Sequence, residues 1–186
     1  MSETPSPAGF RLVPFNFDRH SDFVIDCQAG SIRVAAPQFK PDDKFHAEHA
    51  QMLREGADGM RNDRVLILEA NNGTPAAVVW LEIRTYNQGF DGYHDPEMWP
   101  QLLGKVGAQF RNTHVAAPYR GHGLASYLKQ VAEQVARDAG AQFLYTRCGE
   151  INKPMLAVNA NLGYEAVHEP DSNHIRLRKK LVPDAW

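Results

Sequence analysis

The hydrophobic positions of the first sixty residues follow a helical period after one short extended segment. A strand is predicted over residues 10–17, and a helix capped by Ser21 follows it. A second helix is predicted over residues 41–58, because Pro41 suits a first helical turn and acidic residues come directly after it. The chain therefore begins with one strand and two helices.

A strand period replaces the helical one in the next segment. Two apolar runs, residues 64–70 and 77–86, are separated by Asn72-Gly73, a pair that favours a type I′ hairpin turn because both central positions need positive φ. Residues 87–100 are rich in Gly, Asp, Pro and aromatic residues and are predicted to form a loop or a lid.

The second half alternates strands with amphipathic helices. Gly140 ends a long helix whose apolar positions are Leu124, Tyr127, Leu128, Val131, Ala132 and Val135. The other predicted elements are strands over 108–115, 142–146, 164–168 and 174–181 and a helix over 154–162. This order, β-α-α-β-β-β-α-β-α-β-β, predicts an α/β (α+β) fold with a single mixed central sheet flanked by helices.

Composition narrows the class of protein. The 186 residues, 43% of them hydrophobic, predict one packed domain over 10–186 after a short disordered tail over 1–9. A formal charge of −2 gives no basic excess for nucleic acid, and no apolar run spans a bilayer. Cys27 and Cys148 form no CxxC pair, so we expect reduced thiols, no metal site and a cytoplasmic protein. A homodimer is left open.

The segment over residues 113–125 carries the clearest chemistry. A strand ends there, a glycine-rich turn follows, and the long helix begins, so backbone N–H groups and the helix dipole converge on one point. Gly121 and Gly123 let a ligand approach the backbone, and Arg120 adds a permanent positive charge. The Gly-Lys-Ser/Thr ending of a Walker A loop and the complete GxGxxG of a Rossmann turn are both absent. The pattern predicts a phosphate site, with an ordinary structural turn as the alternative.

Two motif blocks resemble those of the GNAT acyltransferases. Arg120-x-x-Gly123-x-Ala125 resembles the family's Q/R-x-x-G-x-G/A motif. The second block resembles an N-x-P-M-x-x-x-N-x-x-L-G-F/Y pattern and consists of Asn152, Pro154, Met155, Asn159, Leu162, Gly163 and Tyr164. The resemblance covers residues 111–168, whereas residues 1–100 match only in the order of their elements.

This resemblance implies a GNAT fold, acetyl-CoA as co-substrate, and direct transfer of the acetyl group to a primary amine of a small molecule, without an acyl-enzyme. It implies a backbone N–H of Val115 as oxyanion donor. The implied acetyl-CoA-binding residues are Thr113, His114, Val115, Arg120, Gly121, His122, Gly123, Leu124, Ala125, Asn152, Met155 and Asn159.

The sequence departs from the family at the proton donor. Many members have a tyrosine seven residues after the Asn152 position, where this chain has Asn159, which has no proton to give at useful pH. Tyr164 and Tyr119 are the candidate acids that could take its place. The candidate general bases are Glu82, His114 and, in the loop over 87–100, Asp91, His94, Asp95 and Glu97.

Three other functions stay open at this point. One is acetylation of a peptide or protein amine, and a second is binding of an acyl-CoA without turnover, to which the missing tyrosine gives weight. In the third, the glycine-rich turn has only a structural role. The acceptor is not encoded in any residue pattern of the chain.

Overall fold

A seven-stranded mixed sheet forms the centre of the protein, in the strand order β1-β2-β3-β4-β5-β7-β6. The computed structural model describes residues 5–57, 63–86, 99–168 and 172–186. Neighbouring strands are antiparallel except for the parallel pair β4–β5. The strands are β1 Phe10–Pro14, β2 Asp63–Ala70, β3 Pro75–Thr85, β4 Val106–Val115, β5 Phe143–Gly149, β6 Glu165–His168 and β7 His174–Lys180.

Helices alternate with these strands in the predicted order. They are α1 Phe17–Ala35, α2 Asp43–Ala57, α3 Trp99–Leu102, α4 Leu124–Asp138 and α5 Lys153–Asn161. The predicted α/β class with one mixed sheet is confirmed. The short α3 is an addition, because it begins inside the stretch over 87–100 that was predicted as a loop, and residues 87–98 lie outside the described part of the chain.

The predicted start of α1 is wrong by five residues. Asn16, not Ser21, is the N-cap, and its side-chain oxygen accepts a hydrogen bond from the backbone N–H of Arg19 at 3.0 Å. Ser21 lies inside the helix and is buried. Asn and Ser are comparable caps, so the choice depends on what the first turn contacts.

A buried ionic cluster holds this first turn against the sheet. Glu69 of β2 is fully buried, and its carboxylate binds Arg11, Arg19 and His20. His20 accepts a hydrogen bond from the backbone N–H of Asn16 at Nδ1, so its Nε2–H donates to Glu69 over 3.1 Å. The hydrogen bond from His20 is the main reason that the pKa of Glu69 is lowered. Helix α1 must therefore start before His20.

The two faces of the sheet are covered by different helices. Helices α1 and α2 cover one face around Val24, Ile25, Cys27, Leu53, Ile67, Val78 and Trp80. Helix α4 covers the other around Val79, Leu81, Phe110, Leu124, Leu128, Ala132, Leu144 and Leu177. Alternate residues of β3 thus point to opposite layers, as a strand buried on both sides requires. None of the described helices combines the length and apolar character needed to cross a membrane.

The parallel pair β4–β5 is short. Only residues 107–109 of β4 pair with residues 143–145 of β5, and the strands then diverge. At the paired end the ring of Phe143 lies against Gly107, where a Cβ would fall 2.3 Å from a ring carbon. At the diverging end Arg111 is an extra residue of β4, a β-bulge between the pairs that join β4 to β3.

One lysine is enclosed in the layer between α4 and the sheet. Lys129 is 1% exposed, and its ammonium lies 3.8 Å from the centre of the Phe110 ring and 5.1 Å from that of Tyr164. Burial lowers the pKa of Lys129 from 10.5 to about 7. The loss of hydration is the main cause of this lowered pKa, and the two aromatic faces attract the charged form.

We expect Lys129→Met to make the free energy of unfolding less dependent on pH. Between pH 7 and 10.5 the unfolded chain binds a proton at Lys129 that the folded chain does not hold, so wild-type stability rises with pH over this range. The Met variant should be more stable than wild type at pH 7 by an amount on the order of a few kcal/mol, with the difference shrinking toward pH 10. Urea unfolding at both pH values measures this, with the exposed Lys153→Met as control. Parallel pH curves for wild type and Lys129→Met would contradict the expectation.

Candidate functional site

The diverging ends of β4 and β5 open a cleft of about 850 Å³. Its floor and walls come from β4, β5, the turn before α4, the first turns of α4 and α5, and the last turns of α1. A volume of this size suits a ligand as large as a nucleotide derivative. The predicted phosphate turn thus lies at one side of a real cavity.

The start of α4 is built to hold an anion. The N-cap is Gly123 in the left-handed conformation with φ 74°, and no side chain caps the helix. The first N–H groups of the helix, which have no partner within it, are therefore free for a ligand. Space is open where a Cβ would stand on Gly121 or Gly123, so a ligand can reach the backbone.

Two side chains of this turn lie close to nearby backbone carbonyls. The guanidinium of Arg120 lines the cleft but donates from Nε to the carbonyl of Val115 at 3.1 Å. The His122 ring turns back to the turn itself, with Nδ1 3.0 Å from the carbonyl oxygen of Arg120, and is not among the residues that line the cleft. The other eleven residues predicted to bind the co-substrate do line it.

The edge of β4 that faces the gap presents backbone groups. The N–H of Ala116 donates to the carbonyl of Ala76 on the β3 side at 2.9 Å. Because neighbouring N–H groups of an extended strand point to opposite edges, the N–H of Val115 points away from β3, toward the gap. Residues 110–115 beyond the three paired positions all line the cleft. A ligand lying in the gap can therefore bond to the backbone of β4.

Helix α5 brings two asparagines to the opposite wall. Asn152 is the N-cap, and its Oδ1 accepts a hydrogen bond from the N–H of Met155 at 3.3 Å, so it has a structural role while it also lines the cleft. Asn159 is fully buried and donates from Nδ2 to the Met155 carbonyl at 2.8 Å. Its Oδ1 has no hydrogen-bond partner among the described residues.

His114 lies on the face of β4 that meets α1. It pairs in register with Val78, and its Cε1 would be 3.6 Å from a Cβ on Gly30 of α1. Burial, and to a lesser degree the positive charge of Arg120, lowers the pKa of His114 below its usual value of 6.5. The imidazole is therefore neutral at pH 7 and able to accept a proton.

Glu82, the other candidate base on a strand, is not among the residues that line the cleft. Its carboxylate is buried and accepts a hydrogen bond from Arg111 Nε at 2.6 Å, and Arg84 lies 3.5 Å away. The pairing with Arg84 that strand alternation allows is present. Glu82 therefore binds and orients Arg111, a residue that does line the cleft.

The two candidate tyrosines lie in different places. Tyr164 is 7% exposed, packs in the core near Phe110, and is not among the residues that line the cleft. Burial raises the pKa of Tyr164 well above its usual value, so the structure argues against it as a proton donor. Tyr119 lines the cleft beside the phosphate turn. The loop candidates Asp91, His94, Asp95 and Glu97 lie outside the described residues.

Several residues of the cleft were not found by sequence reasoning. From α1 come Gly30, Ser31, Arg33 and Val34, and from the sheet and α4 come Phe110, Arg111, Asn112, Lys129 and Arg147. Cys148, which the sequence places near this segment as a packing residue, also lines the cleft. Ser31 donates to Asn112 Oδ1 at 2.9 Å and so connects α1 to β4. The described lining contains Arg and Lys side chains but no Asp or Glu. This charge distribution suits an anionic ligand.

The sequence matches one family model over more than two thirds of its length. The model describes the acetyltransferase (GNAT) family and matches residues 32–164. The matched region includes the last turn of α1, the gap between β4 and β5, the phosphate turn and both asparagines of α5. No curated protein matches the sequence.

Solved structures of the same fold cover nearly the whole chain. The GNAT domain of S. lividans PAT is 18% identical, with a TM-score of 0.66 over 95% of this chain and 96% of that one. PaiA N-acetyltransferase from Thermoplasma acidophilum, in complex with coenzyme A, is 11% identical, with a TM-score of 0.64 over 92% and 98%. YncA from Salmonella typhimurium, with its cofactor acetyl-CoA, is 13% identical, with a TM-score of 0.64 over 94% and 95%. At these identities the similarity shows the fold.

The family match and the fold agree with the two motif blocks. They confirm the acyltransferase class and acetyl-CoA, the family's co-substrate, that the resemblance implied. The chain therefore belongs to the GNAT family of acetyltransferases.

Proposed function

We propose that this acetyltransferase holds acetyl-CoA in the gap between β4 and β5 and transfers the acetyl group directly to the primary amine of a small molecule. The observation that carries the proposal is the uncapped start of α4 at the mouth of the cleft. Helices α1 and α5 are capped by Asn16 and Asn152, whereas α4 leaves its first N–H groups to a ligand.

The residues present fit the co-substrate along its length. The turn over residues 120–125 offers N–H groups and Arg120 to a diphosphate. The exposed edge of β4 and the α5 asparagines offer backbone and amide groups to a chain of amides. Acetyl-CoA supplies a thioester carbonyl as electrophile and a thiolate as leaving group. A backbone N–H on the open edge of β4, near the point where β4 and β5 separate, would stabilise the developing negative charge on that carbonyl oxygen.

His114 is the general base in this proposal. A primary amine with a pKa near ~10 is mostly protonated at neutral pH, so a neutral acceptor for its proton accelerates attack. The lowered pKa of His114 keeps the imidazole neutral, and its position against Gly30 places it where α1 and β4 meet. Glu82, bound by two arginines, is the less suitable base.

The charge of the lining favours an acceptor that carries an acid group beside its amine. Arg33 lies on α1 one turn beyond Gly30, on the same side of the cleft as His114. A carboxylate on the acceptor could bind this guanidinium, whereas the charged side chains that a polyamine would meet in the described lining are all positive. An amino acid or its derivative is therefore the acceptor class that we propose.

The first prediction concerns acetyl-CoA binding. Ala125→Glu places a carboxylate in the first turn of α4, where it interacts well with the helix dipole but repels a diphosphate. We expect the free variant to melt at or above the wild-type temperature and to lose the stabilisation by acetyl-CoA, which is about 2.7 kcal/mol at roughly 100 times Kd.

The matched control for this substitution is Ala125→Gln, which has the same size and no charge. It should keep most of the stabilisation, as measured by thermal unfolding with and without acetyl-CoA. Equal stabilisation of the Glu and Gln variants would show that acetyl-CoA phosphates do not lie at the start of α4.

The second prediction concerns the acceptor. A thiol-release assay on a panel of free amino acids, amino acid amides, polyamines and peptides should give the highest kcat/KM for amines that carry a carboxylate. Removing Arg33 by Arg33→Gln should raise KM for these acceptors about tenfold and leave their decarboxylated analogues unchanged, as expected for one hydrogen-bonded charge pair. Preference for the peptides would instead identify a peptide N-acetyltransferase.

The third prediction concerns the base. His114→Gln should lower kcat about 100-fold at pH 7 with little change in KM for acetyl-CoA. The loss should shrink as pH rises, because more of the acceptor amine arrives neutral and needs no base. Rates measured from pH 6 to 9 at saturating acceptor test this. A loss that is constant over this range would assign His114 a packing role only.

A further inference from the structure

The diverging point of β4 and β5 contains a cation that the proposed function has not used. Lys129 lines the cleft together with Phe110 and Cys148, although its side chain is 1% exposed. Its ammonium lies 3.8 Å from the centre of the Phe110 ring, and Phe110 is the next residue after the last β4–β5 pair, Gln109 with Tyr145. The amine therefore lies near the point where β4 and β5 separate.

Asn159 forms the wall of the same cleft and has no proton to give to a leaving group. Tyr164 is buried in the core and is not among the residues that line the cleft. Among the described residues of the cleft, Lys129 is the buried cation, since Arg33, Arg120 and Arg147 are exposed and the half-buried Arg111 is bound by Glu82. An arginine also holds its proton too tightly to release it.

We propose that Lys129 is the proton donor to the thiolate of CoA, in place of the tyrosine that Asn159 replaces. This inference rests on the proposed function. The acceptor amine forms the new C–N bond to the thioester carbon, and the C–S bond breaks with its electron pair on sulfur. The Lys129 ammonium gives one proton to that sulfur, and His114 takes one from the amine, so the products are an amide and CoA with a free thiol.

The surroundings of Lys129 support this direction of proton transfer. Cys148 on β5 lies close to Lys129. Burial raises the pKa of Cys148, and the positive charge of Lys129 opposes this only in part, so the thiol stays neutral beside the amine. Tyr164 contributes an aromatic face, and Glu133, one turn further along α4, is bound to Lys179 and Arg137. With a pKa of about 7, the ammonium is a stronger acid than a thiol near ~8.5, so the transfer is downhill.

The first test of the proposal measures whether the CoA sulfur contacts Lys129, which does not require turnover. The Lys129 side chain is observed by NMR in lysine-labelled protein, assigned through its absence in Lys129→Met, while CoA or desulfo-CoA is added. We expect CoA to shift the Lys129 resonance and its titration, and desulfo-CoA to leave both near their values in the free protein. An identical response to the two compounds overturns the proposal.

Kinetics then separate proton donation from packing. Lys129→Met should lower kcat about 100-fold, leave KM for acetyl-CoA within about twofold, and abolish the fall of kcat above pH 7. The Asn159→Tyr change in the Lys129→Met background should recover at least about tenfold of kcat. Unchanged kcat with the alkaline fall intact overturns the proposal, as does an acetyl group found on Lys129 by mass spectrometry, since the amine would then be an acceptor.

These outcomes are distinct from failure of the proposed function. Calorimetry with wild-type protein shows whether CoA binds at all, and absence of binding removes the acetyl-CoA site itself. Binding of CoA with no sulfur-dependent change at Lys129 keeps the site and removes only the proton donor.

Discussion

The three-residue pairing of β4 with β5 is the constraint on which the whole site depends. Each strand is held by its outer neighbour, β4 by β3 over residues 106–115 and β5 by β7 over residues 143–149, so the two can separate without unfolding. Their separation leaves N–H and C=O groups along two inner edges, and buried backbone groups need partners. A long ligand with its own amides can bond to such an edge much as an added strand does. The cleft thus lies where the backbone hydrogen bonds between β4 and β5 stop.

The contacts around the point of divergence explain why the strands part there. Below it, the ring of Phe143 fits only because Gly107 has no side chain. Above it, the bulge at Arg111 changes the direction of β4, and the carboxylate of Glu82 on β3 accepts a hydrogen bond from the Arg111 side chain. Thr146 Oγ1 donates to the Phe110 carbonyl at 3.2 Å, so a side chain replaces the missing backbone bond at the first open position. The opening is therefore specified by side chains from three strands.

Local sequence was sufficient for the elements whose boundaries are set by local chemistry. A β2–β3 hairpin forms where Asn72-Gly73 predicted it, but the predicted two-residue type I′ turn is wrong. The Gly73 N–H donates to the Ala70 carbonyl at 2.8 Å, so the loop is residues 71–73, with Gly73 at φ 82°. The glycines of the turn before α4 have the positive φ that such a turn needs. The start of α1 could not be read, because Asn16 and Ser21 are equal caps until His20 meets Glu69, which lies 49 positions later. Most of the residues predicted to bind acetyl-CoA line the cleft, because they belong to two motifs that can be recognised in the sequence. The α1 wall and the Glu82–Arg111 pair arise only from tertiary contacts.

The burial of Lys129 could not be predicted from the helical pattern alone, although small residues lie around it on the same side of α4. It shares one side of α4 with Ala125, Ala132 and Ala136, and small residues leave space for a long side chain to lie along the helix. A methionine would fill this space without the loss of hydration, so stability does not account for a lysine here. The buried Asn159 Oδ1 in the same cleft also lacks a partner among the described residues. Buried polar groups that cost stability are often found at ligand-binding sites, and both Lys129 and the Asn159 Oδ1 lie at this cleft.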